Sequence, residues 1–144
     1  MGYVVPCRGE VRLAIRLLLV DDNRVILDQL SQLLSEEFEV VGVACDGEEM
    51  IEPTERLHPD VIVADIAMPL LDGIEASRRI LRSHPEMPIV LLTMHREPAV
   101  VQRAFAAGVR AYVHKLTAAE DVGTDVHFVL RGETFISPSC MNPF

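Results

Sequence analysis

The chain has 144 residues, of which 49% are hydrophobic and 24% charged, and its formal net charge is −9. One hydrophobic core fits in that length and two do not, while no apolar run approaches the ~20 residues of a membrane span. The acidic balance points away from nucleic acid as a direct partner of this segment, because a phosphate-binding face carries a basic excess.

Residues 1–14 show no periodicity and are expected to form an extension ahead of one domain over residues 15–132. Within that domain, runs rich in Val, Ile and Leu recur at 15–20, 39–43, 61–64, 89–92 and 111–113, with helical spacing between them. After the first run, Asn23 is placed to cap a helix whose apolar face is Ile26, Leu30, Leu33 and Leu34. Asp46 and Glu49 have capping-box spacing for a second helix, which Pro53 should keep short or kinked. A third helix is predicted from Asp72-Gly73, burying Ile74, Ile80 and Leu81, and a fourth from Glu97-Pro98 to Gly108. Thr117 and Glu120 form another capping box ahead of a fifth helix, with Val122, Val126, Val129 and Leu130 inward and Phe128 on the opposite side. Gly123 in the middle of that helix costs roughly 1 kcal/mol relative to Ala, and the pattern gives no reason for it. Residues 133–144 read as a tail or the start of a linker. Continuous apolar strands alternating with amphipathic helices predict an α/β fold, a doubly wound parallel sheet covered on both faces. Cys7, Cys45 and Cys140 are odd in number, far apart and without CxxC spacing, so they read as reduced thiols of a cytoplasmic protein.

In such a sheet, ligands bind beyond the carboxyl ends of the strands, where strand order reverses. Asp21-Asp22 follows the first apolar run, Asp65 the third, Thr93 the fourth and His114-Lys115 the fifth. With strand order 2-1-3-4-5 the first and third strands are neighbours, and the three carboxylates converge. Clustered carboxylates repel one another unless a cation is near, and Mg2+ favours carboxylates together with waters and a phosphate oxygen. Lys115 adds a compact positive charge and Thr93 a hydroxyl donor. These are the parts of a phosphoryl-transfer site: a carboxylate nucleophile, a divalent metal and side chains that hold the equatorial oxygens. The plainer alternative is that each Asp caps the following helix. It has weight for Asp21 and Asp22, and it fails for Asp65, because Ile66-Ala67-Met68-Pro69 delays the next helix until about Asp72.

At these residues the chain resembles the receiver domains of bacterial two-component response regulators. The resemblance rests on Leu19-Val20-Asp21-Asp22-Asn23, on the stretch from Asp60 through Asp65 to Gly73, on Leu91-Leu92-Thr93, and on Ala107-Gly108 running to His114-Lys115. It covers about residues 15–131, and the segment from Arg131-Gly132 to Ser137-Pro138 is similar to the NarL/FixJ (LuxR-type) subgroup just before its linker. The resemblance implies a flavodoxin-like (βα)5 fold. It also implies that Asp65 takes a phosphoryl group from the phosphohistidine of a sensor histidine kinase, in a Mg2+-dependent reaction that the domain itself catalyses, as it does the later dephosphorylation. By the same likeness Mg2+ is held by Asp22, Asp65 and the Ala67 carbonyl, with Asp21 binding directly or through water. Lys115 pairs with the phosphoryl oxygens, Thr93 hydrogen-bonds one of them, and Tyr112 is the aromatic switch that turns inward with Thr93. For Tyr112 an ordinary amphipathic residue of the last strand is the alternative. Met94 and His95 line the entrance, and their bulk suggests a longer-lived phosphoryl group. The implied output is transcription regulation by a DNA-binding domain absent from this chain, with homodimerisation on phosphorylation.

Two features depart from the family pattern. Leu116 stands where Pro commonly follows the Lys, so a cis bond there is not assumed, and Leu70-Leu71 is more apolar than usual, a candidate partner contact. Two other readings compete. A phosphorylation-independent receiver, acting as a protein–protein interaction module, usually loses one of the acidic pair, the acceptor or the Lys, and this chain keeps them all; a receiver that stands alone is the alternative to a transcription regulator's fragment. A nucleotide-binding or hydrolase domain would need a GxGxxG, a P-loop, or a second Asp where Ala67 stands.

Overall fold

Val61–Asp65, Ile89–Thr93 and Ala111–His114 are buried at every position, a pattern that strands adopt when both faces of their sheet are covered. The computed structural model describes the backbone of residues 5–7, 10–12, 14–68, 71–94 and 97–138, and the side chains of residues 14–68, 71–94, 97–118 and 121–138. In chain order the elements are β1 (Val5–Cys7), β2 (Glu10–Arg12), β3 (Arg16–Val20), α1 (Arg24–Leu34), β4 (Glu39–Ala44), α2 (Ile51–Leu57) and β5 (Val61–Asp65). Then follow α3 (Gly73–Ser83), β6 (Ile89–Thr93), α4 (Pro98–Ala106), β7 (Ala111–His114), a 3-10 turn (Lys115–Thr117), α5 (Ala118–Leu130) and β8 (Phe135–Ile136).

The main sheet runs β4-β3-β5-β6-β7-β8 and its pairings are parallel. Its first five members reproduce the order 2-1-3-4-5 expected of a flavodoxin-like fold. Two features were not foreseen: β1 and β2 pair as an antiparallel hairpin ahead of the domain, and β8 adds a sixth strand beside β7. Alternate residues of each strand feed opposite cores. Leu18, Val20, Ile62, Leu91 and Tyr112 pack on one side with Ile74, Ile80 and Ala104 of α3 and α4. Leu17, Leu19, Val63, Leu92 and Val113 pack on the other with Leu27 and Leu34 of α1 and Val122, Val126 and Val129 of α5. Each fully buried Leu or Ile contributes about 2 kcal/mol of transfer free energy.

The helix signals hold with specific exceptions. Asn23 Oδ1 accepts from the Val25 and Ile26 N–H groups at 3.0 and 3.2 Å, capping α1 as predicted. The inward face of α1, however, runs through Leu27, Leu30 and Leu34, and Leu33 is 42% exposed. The expected face passed over Leu27, whose i, i+3, i+7 spacing sets the observed stripe. Asp46 Oδ1 accepts from Glu49 N–H and Glu49 Oε1 from Cys45 N–H, a reciprocal pair ahead of α2. Pro53 falls in the first turn of that seven-residue helix, where a backbone donor has no intrahelical partner to lose. Thr117 does not cap α5: its Oγ1 donates instead to Asp121 Oδ2 at 2.8 Å, drawn there by the 3-10 turn that precedes the helix. The Glu120 side chain lies outside the described residues. A Cβ at Gly123 would come within 3.3 Å of Glu37 Oε1, the end of an exposed side chain that can shift, so nothing in the structure requires glycine there. Phe128 is not on an open face; it stacks on Phe135 with centroids 5.8 Å apart.

Candidate functional site

Parallel pairing brings the carboxyl ends of β3, β5, β6 and β7 to one edge, and the polar residues read from the sequence sit there in register. Asp21 follows β3 directly and donates its N–H to the Ala44 carbonyl at 3.1 Å, which fixes it against β4. Its side chain is buried, with Oδ1 accepting the Asn23 N–H at 2.9 Å. Asp22 is exposed beside it. Asp65 is the last residue of β5 and Thr93 the last of β6; both are buried. Helix capping does not account for the three carboxylates, because Asn23 caps α1 and Asp72 caps α3.

Lys115 closes the group. Its Nζ lies 3.0 Å from Asp21 Oδ2 and 3.1 Å from Asp65 Oδ2. One ammonium therefore faces three carboxylates, since one oxygen from each of Asp21, Asp22 and Asp65 can be chosen with all three within 4.8 Å of one another. The imbalance leaves its mark on both partners. Burial, followed by the charge of Asp21, holds the Asp65 carboxyl above its ordinary range, against the opposing effects of Lys115 and of the Ala67 N–H. For Lys115, burial acts to lower the pKa, but the contacts with Asp21 and Asp65 outweigh it and the ammonium is held above its ordinary range. Asp21 Oδ2 is buried with an ion partner and no aligned hydrogen-bond donor. Hard oxygen donors in excess of local positive charge fit a small divalent cation such as Mg2+.

The first turn of α3 presses onto this edge. Gly73 donates its N–H to the Ile66 carbonyl at 2.8 Å, and a Cβ at Gly73 would lie 2.1 Å from the Asp65 carbonyl oxygen. Only glycine permits that approach. Tyr112 is fully buried among the residues of the α3–α4 side, and His114, also buried, accepts the Leu116 N–H at Nδ1. Leu116 is 78% exposed, and no cis peptide occurs among the described residues. Met94 is exposed at the rim; His95 and Leu70 lie outside the described residues, and so do the side chain of Cys7 and the whole of Cys140. A groove of about 440 Å3 runs from Lys115 and Leu116 to Ile26, Leu30 and Leu33 of α1. Sequence reasoning missed one polar cluster altogether: Asp121, Asp125 and Ser137, on α5 and just beyond β8. Its signal was available, because Asp125 stands three residues after Val122 and four before Val129, within the buried arc of the helix.

Comparison with known proteins agrees with this geometry. The family described as "Response regulator receiver domain" matches residues 17–127. The response regulator GacA of Pseudomonas viridiflava is 34% identical over 126 residues, covering 86% of this chain and 59% of that protein. The response regulator protein VraR of Staphylococcus aureus (strain NCTC 8325 / PS 47) is 35% identical over 131 residues, covering 90% of this chain and 63% of VraR. The chain thus spans about three-fifths of the length of the curated relatives it matches. Among solved structures, a two-component response regulator of the LuxR family from Aurantimonas sp. SI85-9A1 superposes with a TM-score of 0.84 at 29% identity, covering 88% of this chain and 92% of that one. The isolated REC domain of RcsB from Salmonella enterica serovar Typhimurium gives 0.80 at 25% identity, over 88% and 96%. An acidic pair following β3, an Asp ending β5, a Thr ending β6 and a Lys following β7 occur here on the fold and in the sequence of that family: this chain belongs to the response regulator receiver domains, with LuxR-type regulators among its relatives.

Proposed function

We propose that the chain accepts a phosphoryl group on Asp65 from a phosphohistidine of a sensor histidine kinase. The observation that carries this reading is Lys115 Nζ held between the buried carboxylates of Asp21 and Asp65, beyond the ends of parallel strands. An Asp65 oxygen attacks phosphorus, the P–N bond of the donor breaks, and the electron pair leaves with the imidazole, which takes up a proton. Lys115 is close enough to Asp65 to pass from its carboxylate to the oxygens of the arriving group. Thr93, at the end of the neighbouring strand, supplies a hydroxyl to another of those oxygens. Asp21, Asp22 and Asp65, with the Ala67 carbonyl, would hold Mg2+. The metal's contribution is to neutralise charge shared by acceptor and phosphoryl oxygens.

The switch pairs Thr93 with Tyr112, whose burial here fits the inward arrangement. The apolar groove beside Lys115, edged by the exposed Leu116, is the surface on which the kinase rests during transfer. The output is transcription regulation by a DNA-binding segment of a longer, cytoplasmic protein, with pairing of two copies on phosphorylation. That part of the reading is supported by the length of the relatives and by a solved complex of RcsB dimers bound to DNA.

The test is intact mass after incubation with acetyl phosphate and Mg2+. The expected result is a gain of one phosphoryl group in the wild type and none in Asp65→Asn or without Mg2+. A folded wild-type chain that gains nothing from any small phosphodonor or kinase would instead be a phosphorylation-independent interaction module.

A further inference from the structure

Asp121, Asp125 and Phe128 follow one another along one side of α5, next to the inward stripe of Val122, Val126 and Val129. β8 and Ser137 lie against that side. Phe128 stacks on Phe135, and Ser137 Oγ donates to Asp121 Oδ2 at 3.0 Å, an oxygen that Thr117 also reaches at 2.8 Å. Ser137 is in turn tied to β7: its N–H donates to the Tyr112 carbonyl at 2.9 Å, and its Oγ accepts the His114 N–H at 3.2 Å. Asp125, between Asp121 and Phe128 along this side of the helix, is 0% exposed, with neither carboxyl oxygen hydrogen-bonded.

A carboxylate cannot be kept ionised in such a place without a donor or a cation. None is at hand among the described residues. Asp121, four residues away on the same helix, is a like charge. Residues Phe135, Ile136 and Ser137 carry no charge. On α5 itself His127 is engaged by Glu37; from the segments packed on α5, Lys115 is engaged by Asp21 and Asp65, and Arg110 by the Val129 carbonyl, while His114 Nδ1 takes the Leu116 N–H. Burial, with Asp121 adding to it, pushes the Asp125 carboxyl up to about 8.

We propose that Asp121, Asp125 and Ser137 form a proton-dependent latch, which holds the C-terminal strand on the sheet while Asp125 is protonated and loosens it as that proton is lost. Opening the latch returns Asp125 to water, where its carboxyl titrates near ~4. The closed state therefore binds one more proton than the open state between those two values. The latch is strongest below about pH 4, weakens across the neutral range, and levels off above about 8. The device is separate from the phosphoacceptor: it requires neither Asp65 nor a metal.

Amide hydrogen exchange of the whole chain by NMR, with intrinsic rates divided out, reads the latch at the Phe135 and Ser137 N–H groups. Between pH 5 and 8 their protection is expected to fall several-fold per pH unit, with about tenfold as the ceiling for one proton. Throughout, they should stay less protected than Leu91 in the sheet centre, as local opening requires. In Asp125→Asn the pH dependence should vanish. Flat protection in the wild type, an unchanged slope in Asp125→Asn, or protection equal to that of Leu91 would each overturn the proposal. If Asp125→Asn does not fold, the carboxyl 13C titration of Asp125 in the wild type decides: a midpoint near 8 supports the latch and one near 4 removes it.

Discussion

Lys115 holds two buried carboxylates together that would otherwise repel, and this makes it a stabilising residue as well as a chemical one. Removing it leaves Asp21 and Asp65 facing each other at 1% and 4% exposure with no cation between them. Lys115→Ala should destabilise the metal-free chain by about 2 kcal/mol, less than for a fully enclosed pair because the lysine is partly solvated. Saturating Mg2+ should recover most of that loss, since a ligand that binds only the folded state adds stability by mass action. Urea unfolding with and without Mg2+ checks both statements; a Lys115→Ala deficit that Mg2+ leaves untouched would show that the lysine does not share its place with a cation. At this scale the sequence was a good guide. Asp21, Asp65, Thr93 and Lys115 are strand-end residues, and a strand end is marked by where an apolar run stops. Asp125 was marked only by its place in the buried arc of α5, a weaker signal, because full burial of a polar residue on a helix also depends on what covers that helix, and β8, which packs on α5, is a strand of two residues with little pattern of its own.

The local devices of the elements divide into those that a few neighbouring residues decide and those that the tertiary structure decides. Asn23, Asp72 and Pro53 belong to the first kind, and each does what its position predicts. Thr117 belongs to the second: its hydroxyl has the spacing of a cap, yet Asp121 competes for it once the 3-10 turn brings them together. The same holds for α1, where Leu27 displaces Leu33 from the core because β3, β4 and α5, not the helix alone, choose which stripe is covered. β8 was invisible because Phe135-Ile136 is too short to show alternation and pairs only when β7 is already in place. Gly73 joins element and site, and it gives a sharp prediction. A methyl group 2.1 Å from the Asp65 carbonyl oxygen cannot be accommodated by a side-chain rotation, so Gly73→Ala has to move the start of α3 or the end of β5. It should cost about 3 kcal/mol in denaturant unfolding and reduce phosphoryl uptake from acetyl phosphate more than the stability loss alone explains. Normal uptake in a folded Gly73→Ala chain would show that the acceptor loop tolerates the shift.

For the molecule as a whole, two buried carboxyls with raised pKa values, Asp125 and Asp65, make stability fall as pH rises, and Asp125 carries that effect up to the neutral range. In the unfolded chain Asp125 is ionised above about pH 4, while in the fold it keeps its proton to about 8. The folded state then holds the extra proton, so stability falls as pH rises between these limits, by at most about 1.4 kcal/mol per unit. Asp125→Asn should reduce that slope to the part that Asp65 contributes and leave the chain more stable at pH 7 by up to about 4 kcal/mol, measured by urea unfolding from pH 5 to 8; a wild-type curve that rises with pH over that range would contradict it. The position of β8 also has a bearing on the order in which the fold can be completed. β4 and β8 are the two edges of the sheet, and β8 is its last member along the chain. While the protein is being made, β7 can dock on β6 as soon as it emerges, yet its outer row of backbone donors and acceptors waits unpaired until residue 137 has left the ribosome. An open strand edge next to an apolar core is a template for pairing with other chains, so the final few residues of this domain decide when a nascent chain stops being sticky.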